Sequence, residues 1–256
     1  MTEIAVLLMA SLMAAGGGQG SEGAISYTAD LPSGASIIIS NSNGDITVES
    51  WDSPEVLVEY RFRGTVMTAA DPVEVVRSGD QGLIFSVGNG DWSAGSMENS
   101  VDFIVKVPGG EDISIITETF SGNINVSSIS GSSLVEVVSG SAHLEGIEGD
   151  LRVNVVSGSI DIIDASGLRA VNIVSGTLRA SLSELSRDVL ITSVEGTVEL
   201  ELPADVNLLA STFAGNIDMP FADIRDELVG TSARYDGGGR TVNVETYSGD
   251  ITAVLR

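Results

Sequence analysis

The residues most able to do chemistry in this chain are one histidine and two close pairs of carboxylates. His143 is the only histidine, and the pairs are Asp161 with Asp164 and Glu145 with Glu148. Two carboxyl groups across a groove can serve as the acid and the base of glycosidic cleavage. A carbohydrate-active β-helix enzyme therefore stays open as an alternative, and release of reducing ends from polysaccharides would test it.

Other features favour a protein that is not an enzyme. Glycosidic cleavage also needs aromatic rings that stack on the sugar, and both tryptophans, Trp51 and Trp92, lie in the first half of the chain. A zinc site needs more than one histidine or clustered carboxylates. Repeated calcium turns need G-G-x-G-x-D nonapeptides, whereas Gly149-Asp150 and Gly249-Asp250 are isolated. We expect no catalytic, cofactor-binding or metal-binding residue, and no cofactor.

The acidic composition limits the partners. Lys and Arg total 12 against 36 Asp and Glu, a net charge of −24. Binding phosphate backbones or anionic headgroups requires cationic side chains that release counterions, so we expect no nucleic-acid partner. Since the chain has no cysteine, neither disulfides nor thiolate metal sites stabilise it.

The N-terminus resembles an export signal. Residues 4–15 form an apolar run with a single serine, Ser11, and three glycines follow it. The run is too short to span a bilayer and is typical of a signal-peptide core, although the preceding Met-Thr-Glu is acidic where a positive charge is usual. We therefore expect a signal peptide at residues 1–20, an extracytoplasmic mature chain (secreted, periplasmic or at the cell surface) and no membrane span in that mature chain.

A short turn, Ser-Gly-x-apolar, repeats through the second half. Its glycines from residue 122 onward are 18, 18, 18, 20, 19 and 34 residues apart, and an earlier copy lies near the start. Glycine adopts a positive φ at tight corners at little cost. The predicted structural turns are Gly44, Gly122, Gly140, Gly158, Gly176, Gly196, Gly215 and Gly249.

Apolar and polar residues alternate on both sides of each turn, which is typical of β-strands. For example, Val135, Val153 and Val171 align in one column. Stacking equivalent strands in parallel would bury these columns and satisfy the backbone. The pattern predicts an all-β fold: a parallel β-solenoid (a single-stranded β-helix, right-handed by default) with coils of 18–20 residues.

The strand-like runs predict three segments. Residues 1–20 are the candidate signal peptide, residues 21–108 form a β-rich N-terminal region continuous with the solenoid, and residues 109–256 form the repeat solenoid. The irregular stretch at about residues 220–239 is expected to leave the solenoid. We expect the last strand, Ile251 to Leu255, to form an open parallel edge, with this excursion as its cover.

Five elements in a fixed order carry a family resemblance. They are N-G-D-I-T-V at Asn43 to Val48, Val107-Pro108, the serial turns from Ser121, Leu202-Pro203, and Y-S-G-D-I-T at Tyr247 to Thr252. Together they resemble the DUF4097 adhesin family over about residues 35–256, and are similar to the adhesin-head β-helix domains of bacterial envelope proteins. The resemblance implies a β-solenoid in an extracytoplasmic or membrane-associated setting, and no catalytic residues. Glu195 and Ala214 depart from the usual serine before glycine.

These observations favour a non-catalytic extracytoplasmic or cell-surface solenoid that presents an acidic face for adhesion, binding or scaffolding. The candidate binding face consists of the outward residues Glu136, Asn154, Asn172, His143, Asp161 and Arg179. An envelope protein or a glycan is the expected partner. The alternatives are the β-helix enzyme above and a sensory or regulatory module of an envelope-stress system, which an adjacent sensor or sigma-factor gene would favour. The oligomeric state stays open.

Overall fold

The computed structural model of the chain describes residues 24–63, 73–78, 81–87, 100–226 and 230–256. The predicted export signal at residues 1–20 lies outside the described residues. Within these ranges the chain forms eighteen β-strands, and no helix is long and apolar enough to span a membrane. The strands are β1 (Ala24–Ala29), β2 (Ser36–Asn43), β3 (Ile46–Trp51), β4 (Val56–Arg63), β5 (Val73–Arg77), β6 (Gly82–Val87), β7 (Ser100–Pro108), β8 (Ser114–Ser127), β9 (Ser133–Glu145), β10 (Leu151–Ile163), β11 (Leu168–Ser181), β12 (Val189–Leu202), β13 (Asn207–Ala214), β14 (Ile217–Asp218), β15 (Asp223–Asp226), β16 (Thr231–Asp236), β17 (Thr241–Ser248) and β18 (Ile251–Leu255).

Each of the long strands β8 to β12 provides one coil, bent once at its glycine. The residues before this corner are called the first arm and those after it the second arm. In β10 the buried positions are Leu151, Val153 and Val155 before the corner, and Ile160 and Ile162 after it. The corner at Gly158 shifts the alternation by one residue, so both arms face the same core.

Successive coils pair in parallel and in register. Val153 lies opposite Val135 on one side and Val171 on the other. These three side chains are fully buried, and in the same three coils the side chains equivalent to Val155 and Ile160 are at most 2% exposed. The predicted parallel β-solenoid and its inner columns are confirmed. A slip of one residue would turn every inner side chain outward, which fixes the register.

The corner needs glycine for two reasons. Gly158 has a φ of 148°, and a Cβ at this position would lie 1.6 Å from the carbonyl oxygen of Gly140. Positive φ is shared by Gly44, Gly122, Gly140, Gly176 and Gly196. Gly215 and Gly249 are not among the positive-φ glycines. There the close approach alone requires glycine, since an added Cβ would lie 2.2 Å and 1.8 Å from the neighbouring glycine oxygens.

The solenoid continues into the described residues that precede β8, where the coils do not follow chain order. β2 and β3 pair in parallel with the two arms of β8. On their other side, β6 and β7 form the outermost coil. Antiparallel strands then cover this end: β5 lies on β6, β4 on β7, and β1 on β4. The first coil in the sequence is therefore an inner coil in the fold.

The C-terminal end repeats this arrangement, and the expectation of an open last strand is wrong. β17 and β18 lie between β12 on one side and β13 and β14 on the other. The excursion at residues 220–239 supplies β15 and β16, which continue the sheet antiparallel from β13. β18 pairs with β12 along its whole length and with β14 at Ile251 and Thr252, because the preceding coil is outermost; the hairpin covers that outermost coil at β13.

Matching aspartate contacts join neighbouring corners near the two ends of the solenoid. Asp45 Oδ1 accepts hydrogen bonds from the backbone N–H and Nδ2 of Asn123 at 2.9 and 3.0 Å. Asp250 Oδ1 accepts the equivalent pair from Asn216 at 2.8 and 3.3 Å. The recurring Gly-Asp-Ile-Thr sequences therefore occupy equivalent positions, one coil in from each group of covering strands.

Candidate binding surface

Three of the predicted face residues form one hydrogen-bonded column on the first arms. Asn154 Nδ2 donates to Glu136 Oε1, and Asn172 Nδ2 donates to Asn154 Oδ1, both at 2.8 Å. Thr192 Oγ1 then donates to Asn172 Oδ1 at 2.5 Å. In-register stacking places these equivalent side chains one strand spacing apart, close enough for each amide to bond to the next. This row is called the amide column.

An unbalanced acidic pair continues the amide column toward the N-terminal end. Glu118 and Glu136 are register partners on β8 and β9. Ser40 Oγ donates to Glu118 Oε2 at 2.8 Å, and Asn154 bonds to Glu136. Like charges placed directly opposite each other repel, so neutral donors only partly offset the cost of this pair.

The other three predicted residues lie on the second arms. His143 Nδ1 is 3.1 Å from Asp161 Oδ2, and Arg179 Nε donates to Glu199 Oε2 at 2.9 Å. The corner separates this row from the amide column, and no hydrogen bond or ion pair joins any of these three residues to Glu136, Asn154 or Asn172. The predicted face is therefore divided into two strips, which sequence reasoning had combined.

A third column was missed by the sequence analysis. The residue immediately before the Ser-Gly pair, or its equivalent, is apolar in seven coils and is between 39% and 61% exposed. This corner stripe consists of Phe120, Val138, Val156, Val174, Val194, Tyr247 and Phe213, in spatial order. The signal was present in adjacent apolar pairs such as Val155-Val156, because alternation allows only one of the two to face inward.

At its C-terminal end the corner stripe finishes in two stacked rings. The Phe213 and Tyr247 centroids are 5.0 Å apart with an interplanar angle of 3°. Each ring remains more than half exposed. Phe213 lies on β13 and Tyr247 on β17, two strands whose order in the stack is the reverse of their order in the chain. The contact between the rings therefore depends on β17 lying directly beside β13.

At the other end, the amide column and the corner stripe border a groove of about 660 Å³. Its lining includes the carboxylates Glu118 and Glu136 together with the apolar side chains Phe120, Val138 and Val156. Polar anchoring groups beside apolar walls are typical of binding clefts. The groove can hold a ligand that pairs apolar surface with hydrogen-bond donors or positive charge.

The carboxylate pairs considered for hydrolysis lie elsewhere. Asp161 contacts His143, whereas Asp164 occupies the following turn with a φ of 49°. Glu145 and Glu148 are exposed at the end of β9 and in the turn after it. Neither pair lines the groove. Among the described residues, no three His, Cys, Asp or Glu side chains are grouped as a metal ion requires.

Two charged clusters brace neighbouring coils. Arg169 and Arg187 each donate to Asp150 Oδ2 at 3.0 Å, from two different coil levels. At the C-terminus, Arg256 donates to Glu201 Oε2 at 2.7 Å. The hydrogen bond from Arg256 lowers the pKa of Glu201, and the same contact raises the pKa of Arg256. The exposed pair of Arg256 and Glu201 adds little stability by itself.

A comparison with protein families identifies the fold. The Toastrack DUF4097 model matches residues 26–253. The chain belongs to this family. The match covers the solenoid and the antiparallel strands that cover both of its ends. Among curated proteins, none matches this chain.

Solved structures resemble this Toastrack chain at low identity. A putative cell adhesion protein from Clostridium sporogenes is 11% identical, with 91% of this chain and 100% of that chain covered and a TM-score of 0.38. A putative adhesin from Bacteroides fragilis is 12% identical, with 90% and 97% covered and a TM-score of 0.41. A putative adhesin from Parabacteroides distasonis is 13% identical, with 92% and 98% covered and a TM-score of 0.32.

Proposed function

We propose that this Toastrack chain is a non-catalytic, extracytoplasmic β-solenoid that binds an envelope protein or a glycan along its outer columns, in adhesion or scaffolding. The observation that carries the proposal is the amide column lying beside the corner stripe over successive coils. In a solenoid each coil adds one side chain to every column, so an elongated partner meets the same chemistry repeatedly. The row of His143, Asp161 and Arg179 provides a separate, second strip.

The bonding within the amide column supports a binding role over a catalytic one. Each amide donates to the next side chain along the row, from Asn172 to Asn154 and from Asn154 to Glu136. Side chains that are hydrogen-bonded to their neighbours keep a fixed orientation. Their remaining N–H groups and oxygen lone pairs stay available to donate to or accept from a ligand. This arrangement favours recognition of a partner over proton transfer.

The extracytoplasmic setting rests on the apolar run at residues 4–15 and can be tested separately. A fusion of the full chain to alkaline phosphatase, which is active only after export, should show activity in intact cells. Deletion of residues 4–15 should abolish that activity without lowering the amount of fusion protein. Equal activity of the two fusions would contradict export by this segment.

Binding should be measured with the purified chain against a panel of cell-wall polymers, neutral and acidic glycans, and isolated envelope proteins. We expect at least one ligand whose affinity falls about tenfold or more when Asn154 and Asn172 are both changed to alanine, because each lost hydrogen bond costs about 1 kcal/mol. The matched control is Asn207→Ala together with Ser183→Ala, which removes two polar side chains that lie on neither strip. Release of reducing ends from any polysaccharide, or equal effects of both variants, would contradict the proposal.

A further inference from the structure

The corner stripe exposes an unusual amount of aligned apolar surface. All seven side chains are more than a third exposed, and they follow one another without interruption from β8 to the outermost coil, β13. Single exposed apolar residues are common on protein surfaces, but a contiguous apolar strip with polar borders marks an interaction site. At about 4.8 Å per coil, the stripe is roughly 29 Å long.

The borders of the stripe are acidic or neutral. One border consists of the residues two positions before each stripe residue, and it includes Glu118, Glu136 and Glu245. The other border consists of the residues one position after each stripe residue, and it includes Glu195. None of the fourteen border positions holds lysine or arginine. Apolar burial and attraction to positive charge therefore act together along this strip.

Charge complementarity selects among the possible occupants. Two copies of this chain would repel each other, because each carries a net charge of −24 and the bordering glutamates of one copy would lie near those of the other. An anionic membrane surface is repelled for the same reason. A neutral glycan would leave the opposed carboxylates Glu118 and Glu136 uncompensated. A basic polypeptide with an apolar row satisfies both the stripe and its borders.

The spacing of the stripe favours a helical ligand. One apolar row on an α-helix repeats about every 5.4 Å, while alternate side chains of a strand repeat about every 6.7 Å. The coil spacing of about 4.8 Å is closer to the helical repeat. A helix that covers about 29 Å has roughly 19 residues.

We propose that the corner stripe binds a basic amphipathic helix of a partner protein, with its apolar row on Phe120, Val138, Val156, Val174 and Val194 and its lysines or arginines beside the bordering glutamates. The inference rests on the proposed function and specifies its partner. The groove at Phe120 and Glu118 holds one end of the helix, and the stacked rings of Phe213 and Tyr247 contact the other.

The test uses a synthetic 20-residue helix with a leucine row bordered by lysines, labelled for fluorescence anisotropy, and the full chain. Two control peptides separate the contributions. One replaces every lysine by glutamate, and the other scrambles the sequence so that the leucine row is lost at unchanged composition. We expect the first peptide to bind at least about tenfold more tightly than either control, since both attractions are needed. Equal binding of the scrambled peptide would overturn the inference, because charge alone would then explain it.

Variants of the stripe locate the binding. Val138, Val156 and Val174 changed together to serine should weaken binding of the leucine–lysine helix by about a hundredfold, from roughly a fivefold loss for each half-exposed valine. A matched triple control changes exposed apolar residues off the stripe to serine: Val76, Ile104 and Val254. If both triple variants lose affinity equally, or if neither does, the stripe is not the site.

The acidic border gives a second, independent measurement. Glu118→Gln together with Glu136→Gln should weaken binding and flatten its dependence on salt concentration, because fewer exposed charges attract the peptide. The control pair, Glu111→Gln and Glu148→Gln, removes the same charge away from the stripe. An unchanged salt dependence in the first pair relative to the control would overturn the inference.

The remaining outcomes separate this inference from the proposed function. A glycan or an envelope polymer that binds the wild type but not the Val138, Val156 and Val174 variant, while the helix fails to bind, would overturn the inference and leave the proposed function standing. A dimer in light scattering that the same variant abolishes would identify a second copy as the occupant and also overturn it. If no ligand in either experiment binds, both proposals fail.

Discussion

Replacing Gly158 by alanine tests the corner on which every coil depends. Alanine at a φ of 148° carries a strain of about 1–3 kcal/mol. Its Cβ would also lie 1.6 Å from the carbonyl oxygen of Gly140, so one of the two coils must move. Moving a packed backbone costs a further 1–3 kcal/mol, roughly, before any ladder hydrogen bond is lost. We expect a total loss of about 2–6 kcal/mol.

Two control glycines divide that loss into its causes. Gly34 has a φ of 85° and open space around an added Cβ, so Gly34→Ala measures strain alone. Gly149 is not among the positive-φ glycines, and an added Cβ would lie 2.2 Å from the oxygen of Gly131, so Gly149→Ala measures crowding alone. We expect each control to be less destabilising than Gly158→Ala.

The measurement is urea unfolding followed by circular dichroism. With a slope of about 3 kcal/mol per molar urea, Gly158→Ala should lower the midpoint by about 0.7–2 M. The expected loss of free energy is a large share of a total stability of about 5–15 kcal/mol. A midpoint within error of the wild type, or a loss no greater than that of Gly34→Ala, would refute the claim that coils pack through this glycine column.

Three further outcomes follow from the same contacts. Val155→Asp places an unpaired carboxylate at a site that is 2% exposed and should lower the stability by roughly 3 kcal/mol or more. Val156→Asp, at the next residue, which is 47% exposed, should leave the melting curve almost unchanged. Equal losses in the two variants would contradict the alternation of side chains along β10. Arg256→Ala should raise the pKa of Glu201 toward its ordinary value in a carboxyl NMR titration. The pKa of Glu201 is lower in the folded chain than in the unfolded chain. The stabilisation by this pair is therefore complete above the unfolded pKa and is lost as pH falls through the folded pKa. An unchanged pKa of Glu201 in the Arg256→Ala variant would contradict the contact. Amide hydrogen exchange should be much slower in β17, which is paired on both sides, than in the edge strand β15, and similar rates would argue against this strand order.

The inner columns could be predicted because the central coils align without gaps. Val153 and Val171 are 18 residues apart in the sequence and are register partners in the fold. Side-chain alternation is a local property of a strand, so one aligned pair assigns every neighbour to a face. The same logic could have identified Val156 as an outward residue. It was missed because an apolar side chain was assumed to face the core.

The candidate site could be predicted only in part. Glu136, Asn154 and Asn172 are outward and form one column, as their spacing indicated. His143 and Asp161 are on the other arm, since the corner between the two rows redirects the strand. The groove beside Glu118 brings together β2, β6 and β8, whose residues are far apart in the chain.

Sequence alone determined the repeat, the residues at its corners and the side chains that fill its core, because glycine at a tight corner and alternation along a strand are local requirements. Only the tertiary structure decided which coil lies next to which at the two ends. The coils of Gly215 and Gly249 carry nearly the same pattern, and either would pair with the coil of Gly196. Pairing of Gly249 with Gly196 leaves β13 outside, where the hairpin of β15 and β16 can cover its edge. Covering an exposed edge depends on the whole fold, which local patterns do not encode.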